Sequence, residues 1–226
     1  MGTIVNVIAV ICGSLIGLAF RGRVPGRLTQ SVLQVTGLFT VVIGINMALQ
    51  GRQLILCLVS LVIGTAVGEA VNIEAGLDGF GQRLERRFRL AEGNAAKGLI
   101  YASLFFCVGS MAIVGSIVDG IKGDHSILYT KAMMDGIASI PFAATLGIGV
   151  LAAAVPVLLY QGGLTLLAGL LKPLFNPELI RELTAVGGVI IIGIGINIFG
   201  LQKVRVGNML PALLLIVIII GIKRWI

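Results

Sequence analysis

Eight stretches of the chain, at about 3–20, 29–49, 54–72, 98–118, 135–155, 157–174, 183–200 and 207–222, are apolar over most of their length. Most reach the roughly 20 residues that a helix rising about 1.5 Å per residue needs to cross a hydrocarbon core about 30 Å thick. No other feature restricts the fold as strongly. Of the 226 residues only 12% are charged and 57% are hydrophobic, and the mean hydropathy is +1.06. A soluble domain carries about 25% charged residues, so this chain cannot cover itself with a water-facing surface. Membrane β-barrels are excluded too, because their strands alternate apolar and polar residues with period two. The expected fold is an all-α polytopic transmembrane bundle, a single integral membrane domain over 1–226 with no room for a soluble catalytic module.

The 17 basic residues report topology rather than affinity for nucleic acid. Arg21, Arg23 and Arg27 follow the first stretch, and Arg83, Arg86, Arg87, Arg89 and Lys97 follow the third. Only Arg52 lies between the second and third. The positive-inside rule then places the N-terminus outside and both basic loops in the cytoplasm, as expected for a multi-pass protein of the bacterial inner membrane. The first stretch lacks a basic n-region and a small-x-small cleavage site, so it reads as a retained span. The number of crossings turns on 135–174, about 40 mostly apolar residues and too long for one span. Pro156 and Gln161-Gly162-Gly163 are the expected breaks. Seven crossings would leave 12 basic residues inside against 5 outside, and eight would leave 10 against 7. Charge favours seven.

One apolar sentence is written twice. "VTGLFTVVIGINMAL" (35–49) returns 151 residues later as "VGGVIIIGIGINIFG" (186–200). The identities are Val35/Val186, Gly37/Gly188, Ile43/Ile194, Gly44/Gly195, Ile45/Ile196 and Asn46/Asn197. "CGSLIGL" (12–18) lies weakly against "QGGLTLL" (161–167), and the third stretches do not match. The chain thus divides into a first repeat-like part (1–73), a cytoplasmic loop (74–97), central small-residue-rich segments (98–150) and a second repeat-like part (151–226). Eight crossings would make the copies inverted, and seven would make them parallel. Within the loop, Leu77, Phe80, Leu84 and Phe88 share one face of a basic amphipathic helix suited to an anionic leaflet, as a topology anchor first and a docking helix second.

Polar groups are costly in lipid, and ionisable ones cost about 2.5–3.5 kcal/mol at a helix centre. Asn46 and Asn197, at equivalent places in the duplicated span, are expected to face the bundle and bond either another helix or a ligand. Asp135 lies among small residues in "MMDGIASIPFAATLGIG", with Lys131 four positions before it, the spacing of an intrahelical ion pair. These three lead the expected substrate or ion site, lined by Ser110, Ser139 and Thr145. Asn6, Glu69, Asp119, Gln161 and Asn208 are further polar candidates, with Asn72 and Ser116 beside them. Gly-Ser and Gly-Pro interruptions are expected to break helices near mid-membrane, where freed backbone groups can line a polar cavity. The three cysteines, Cys12, Cys57 and Cys107, fall inside apolar stretches and read as small buried hydrophobes.

The opening "MGTIVNVIAVICGSLIGL", the run "FFCVGSMAIVGSIVDGIKGDHSILYTKAMMDGIASIPFAATLGIGV" and "VGNMLPALLL" resemble the bacterial membrane proteins of domain-of-unknown-function family 554 (YdfK/YqgA-like). The resemblance covers the whole chain. It implies a multi-spanning inner-membrane protein with a transport role, and it carries no substrate and no site residues.

Two function classes compete. A small transporter or channel fits the duplication and the expected broken helices, with the bilayer and a small solute or ion as partners and no cofactor or metal. A scaffold without flux is the alternative, using the basic helix as its docking face. An intramembrane enzyme is the weakest reading. The one histidine, His125, sits in a loop and would have to meet Ser110 or Ser139, and no HExxH, GxSxG or GxxxxGK[ST] motif is present. GxxxG spacings at Gly13/Gly17 and Gly64/Gly68 permit a homo-oligomer.

Overall fold

The computed structural model describes residues 1–21, 26–76, 79, 95–171, 176–199 and 203–223. Among these residues the regular structure is entirely helical. The helices are α1 (Gly2–Phe20), α2 (Gly26–Ala48), α3 (Leu54–Val71), α4 (Ala95–Cys107), α5 (Ser110–Lys122) and α6 (Ser126–Leu146). There follow α7 (Ile148–Ala152), α8 (Ala154–Leu166), α9 (Ala168–Leu171), α10 (Pro177–Phe199), a short 3-10 turn (Val206–Met209) and α11 (Pro211–Lys223). Six helical runs are long and apolar enough to cross a membrane, and the α4–α5 pair, bent by 59°, makes a seventh if it counts as one span. The apolar face expected of an amphipathic basic helix in the 74–97 loop, Leu77, Phe80, Leu84 and Phe88, lies outside the described residues.

The helices gather into two compact units, 1–36 with 78–172 and 37–77 with 173–226. Spatial grouping thus cuts across the four consecutive parts expected from the sequence. In unit 1, α1 and α6 run parallel and touch backbone to backbone. A Cβ on Gly13 would lie 2.1 Å from the Gly136 carbonyl oxygen, and one on Gly17 would lie 2.2 Å from that of Ile140. Only glycine permits such an approach. Phe105, Phe106 and Phe142 pack edge to face where α4 meets α6, with centroids 5.0–6.4 Å apart.

Two expectations about helix breaks are revised. The long apolar region 135–174 does not break at Pro156 or at Gln161-Gly162-Gly163. Pro156 is the third residue of α8, inside the first turn, where its missing N–H has no intrahelical acceptor in any case. The break is at Gly147, whose φ of +78° suits glycine and against which Arg21 packs. Pro141 is carried inside α6 without ending it. The Gly-Ser interruption at 109–110 does separate α4 from α5, as expected.

In unit 2, α10 supplies most of the buried surface. It runs antiparallel to the second half of α2, meeting it glycine to glycine: Gly44 approaches the Gly188 carbonyl and Gly37 that of Gly195. Likewise α3 runs antiparallel to α11, with Gly64 against Ala212 and Gly68 against the turn at Asn208.

Candidate functional site

Helix periodicity explains which polar side chains meet in unit 1. Asn6 of α1 faces two partners at once. Its Nδ2 donates to Asp135 Oδ2 of α6 at 2.9 Å and to Gln161 Oε1 of α8 at 3.0 Å. One turn before Asp135 on the same face, Lys131 completes the expected i,i+4 pair with that carboxylate. One turn from Asn6, Thr3 meets Thr165 of α8 with hydroxyl oxygens 3.4 Å apart. Asn6 and Gln161 are fully buried, and Lys131 and Asp135 nearly so. Two buried amide atoms, Asn6 Oδ1 and Gln161 Nε2, have no hydrogen-bond partner among the described residues. Such orphans in a packed interior each cost about 1–3 kcal/mol. The arrangement therefore holds one cation, one anion, an unfilled acceptor and an unfilled donor.

The other expected residues of this unit are turned to local work. Ser139 donates to the Asp135 carbonyl at 2.5 Å, and Thr145 donates to the Pro141 carbonyl at 2.7 Å, both back-bonding one turn along α6. Ser110 begins α5 at the break, and its side chain lies outside the described residues. Ser116 is buried on α5. Asp119 pairs with His125 Nδ1 between the end of α5 and the start of α6. His125 thus meets a carboxylate. Ser139 lies 14 residues away along α6, about 21 Å at 1.5 Å per residue. Just outside the helices, Asp124 accepts from the Ser126 hydroxyl at 2.7 Å and its N–H at 3.0 Å, and these bonds hold its carboxyl below the usual range.

Unit 2 holds the remaining candidates. Asn46 is exposed near the end of α2, which corrects the expectation that it points into the bundle. Asn197 binds the following loop, its Nδ2 and Oδ1 each 2.7 Å from the Val204 backbone. Glu69 pairs with Arg205 at 2.8 Å, and Asn72 caps α3 at φ +57°, a conformation asparagine tolerates better than most residues. Asn208 accepts the Glu74 N–H at 2.7 Å. Glu182, a residue the sequence reading passed over, is fully buried on α10 and accepts the N–H groups of Arg52 and Gln53 at 2.9 and 3.3 Å. It lies only six residues into α10, just before the span as read from hydropathy, and no pattern in the sequence marks it.

All-helical architecture with six or seven apolar spans, and ionisable side chains kept inside, defines a multi-pass membrane protein. Residues 1–221 match the model of the family described as "Protein of unknown function (DUF554)", and the chain belongs to that family. It is 37% identical over 218 residues to "Uncharacterized membrane protein YdfK" of Bacillus subtilis (strain 168), covering 95% of this chain and 93% of that one. It is 30% identical over 220 residues to "Uncharacterized protein YqgA" of Escherichia coli (strain K12), covering 95% and 94%. No solved structure matches the chain.

Proposed function

We propose that this protein is a secondary transporter of a small polar solute or ion in the bacterial inner membrane, working through the Asn6–Lys131–Asp135–Gln161 site. One observation carries the reading. An oppositely charged pair is buried in a helix of spanning length, Asn6 bonds its carboxylate and Gln161 bonds Asn6, and among the described residues each amide keeps one atom unfilled. Ionisable groups at that depth are expensive and mark solute or proton paths.

Helix directions support an inverted duplication. α2 and α10 each hold 23 residues and begin at 26 and 177, the same 151-residue offset as the sequence repeat. Gly37 corresponds to Gly188 and Gly44 to Gly195, and the contacts are reciprocal, Gly37 with Gly195 and Gly44 with Gly188. Self-complementary contact of this kind is what a two-fold axis produces. The pairs α1/α8 and α3/α11 are antiparallel as well. Direction also favours eight crossings over seven. Because α1 and α6 are parallel, the bent α4–α5 pair counts as a crossing, and because α1 and α8 are antiparallel, α6 counts as another. The resulting split of basic residues, 10 against 7, still obeys the positive-inside rule with the N-terminus outside.

The test is solid-supported-membrane electrophysiology on proteoliposomes challenged with inorganic ions, amino acids and organic acids, with Asp135→Asn and protein-free liposomes alongside. A saturable current lost in Asp135→Asn is the expected result. A current that persists at full size in that variant refutes the site, and neither current nor isotope uptake across the panel from folded protein refutes transport.

A further inference from the structure

Two polar layers of unit 1 line one end of the α1–α8 seam. Thr3 with Thr165 is the first layer and Asn6 with Gln161 the second. Continuing this antiparallel register by one turn on each helix reaches Val10 and Val157, both fully buried. Beyond them α1 closes on α6 through Gly13 and Gly17, where the backbones leave no room for a side-chain layer. The seam therefore has a polar end, which carries Thr3, then a valine layer, with the buried Ser14 hydroxyl one turn beyond Val10.

We propose that solute enters from the end carrying Thr3 and Thr165, and that Val10 and Val157 form the barrier closing the site toward the opposite face. This rests on the transport reading above. Hydroxyl and amide groups along the entry half replace lost hydration bonds as a solute leaves water. A paired valine layer gives it nothing to bond and resists wetting, the way apolar constrictions gate pores. Release to the other face then requires a second state in which the two valines part.

Cysteine accessibility tests the path without knowledge of the solute. Cys12, Cys57 and Cys107 are replaced by alanine, and single substitutions Thr3→Cys, Thr165→Cys, Val10→Cys and Val157→Cys are exposed to a membrane-impermeant methanethiosulfonate in vesicles of either orientation. The expected result is modification of positions 3 and 165 from one face. Positions 10 and 157 should react at least about tenfold more slowly from that face, as for a minor open state of about 0.1–10%. Equal rates at 3 and 10, or reaction of Val10→Cys first from the opposite face, overturn the proposal. A Val10→Ala/Val157→Ala double variant supplies an independent readout: it should raise passive leak of a trapped ion above wild type, and an unchanged leak also counts against the barrier. Failure here with loss of current in Asp135→Asn would sink the path alone. The reverse pattern would sink the transport site and keep the path.

Discussion

In unit 2 the buried Glu182 carboxylate receives the backbone N–H groups of Arg52 and Gln53, and Asn208 receives that of Glu74. In unit 1 the Asn6, Lys131, Asp135 and Gln161 side chains bond one another across three helices, and among the described residues leave Asn6 Oδ1 and Gln161 Nε2 open, as Asn208 Nδ2 is in unit 2. The difference is physical. A side chain tied to backbone cannot exchange partners unless the chain unwinds, whereas a side-chain network can trade partners by changing rotamers. On the transport reading proposed above, unit 2 would serve as a frame and unit 1 as the part that changes state.

The largest effect expected from disturbing that frame is at the α2–α10 crossing. Gly188→Leu would place a Cβ 2.4 Å from the Ala48 nitrogen. Overpacking against backbone should cost about 3 kcal/mol or more and abolish the folded monodisperse peak on size exclusion. Gly162→Leu in unit 1, where nothing lies within 4 Å of the added carbon, should leave that peak intact.

Next comes the ion pair of unit 1. Asp135→Ala leaves the Lys131 charge buried alone and should destabilise by about 3–5 kcal/mol in thermal unfolding. Replacing both partners, Lys131→Met with Asp135→Leu, should recover most of that stability while the current stays absent. Recovery of current together with stability would mean that the pair is only structural and would erase the contrast between the units.

Glu182→Gln should cost less, about 1–3 kcal/mol, because an amide oxygen still accepts one of the two N–H bonds. Current per folded molecule should be unchanged. A selective loss of current would move function into the frame.

The smallest effect belongs to Asp124, exposed before α6. Its carboxyl is held below the ordinary value of 3.8 by the Ser126 hydroxyl first and its N–H second. Its stabilising contribution is therefore present above 3.8 and lost as pH falls through the lower folded value. Asp124→Ala should lower Tm slightly near neutrality, and its gap from wild type should close as pH falls through the folded value in a Tm-against-pH series.

Much of the architecture was legible because hydrophobicity is a property of a segment by itself. α6 was less so: its Lys131 and Asp135 lower its hydropathy, and the true break at Gly147 depends on a positive φ that no apolar count registers. Pro156 misled because a proline within the first turn interrupts nothing. Asp135, Asn6 and Gln161 were each recognisable as polar residues in lipid, but their meeting was not, since it depends on packing between distant helices. Asn46 and Asn197 show the converse. Their duplication is plain in sequence, yet one is exposed and the other bonds its own loop.

The partners of Asn6 stand 129 and 155 residues later in the chain. At about 5–20 residues per second of synthesis, α1 spends roughly 6–30 s in the bilayer before either partner has been made. During that interval its asparagine must be tolerated by lipid alone or sheltered by the insertion machinery. Helix α1 thus waits for partners made long after it, and the polar site exists only once translation has passed Gln161.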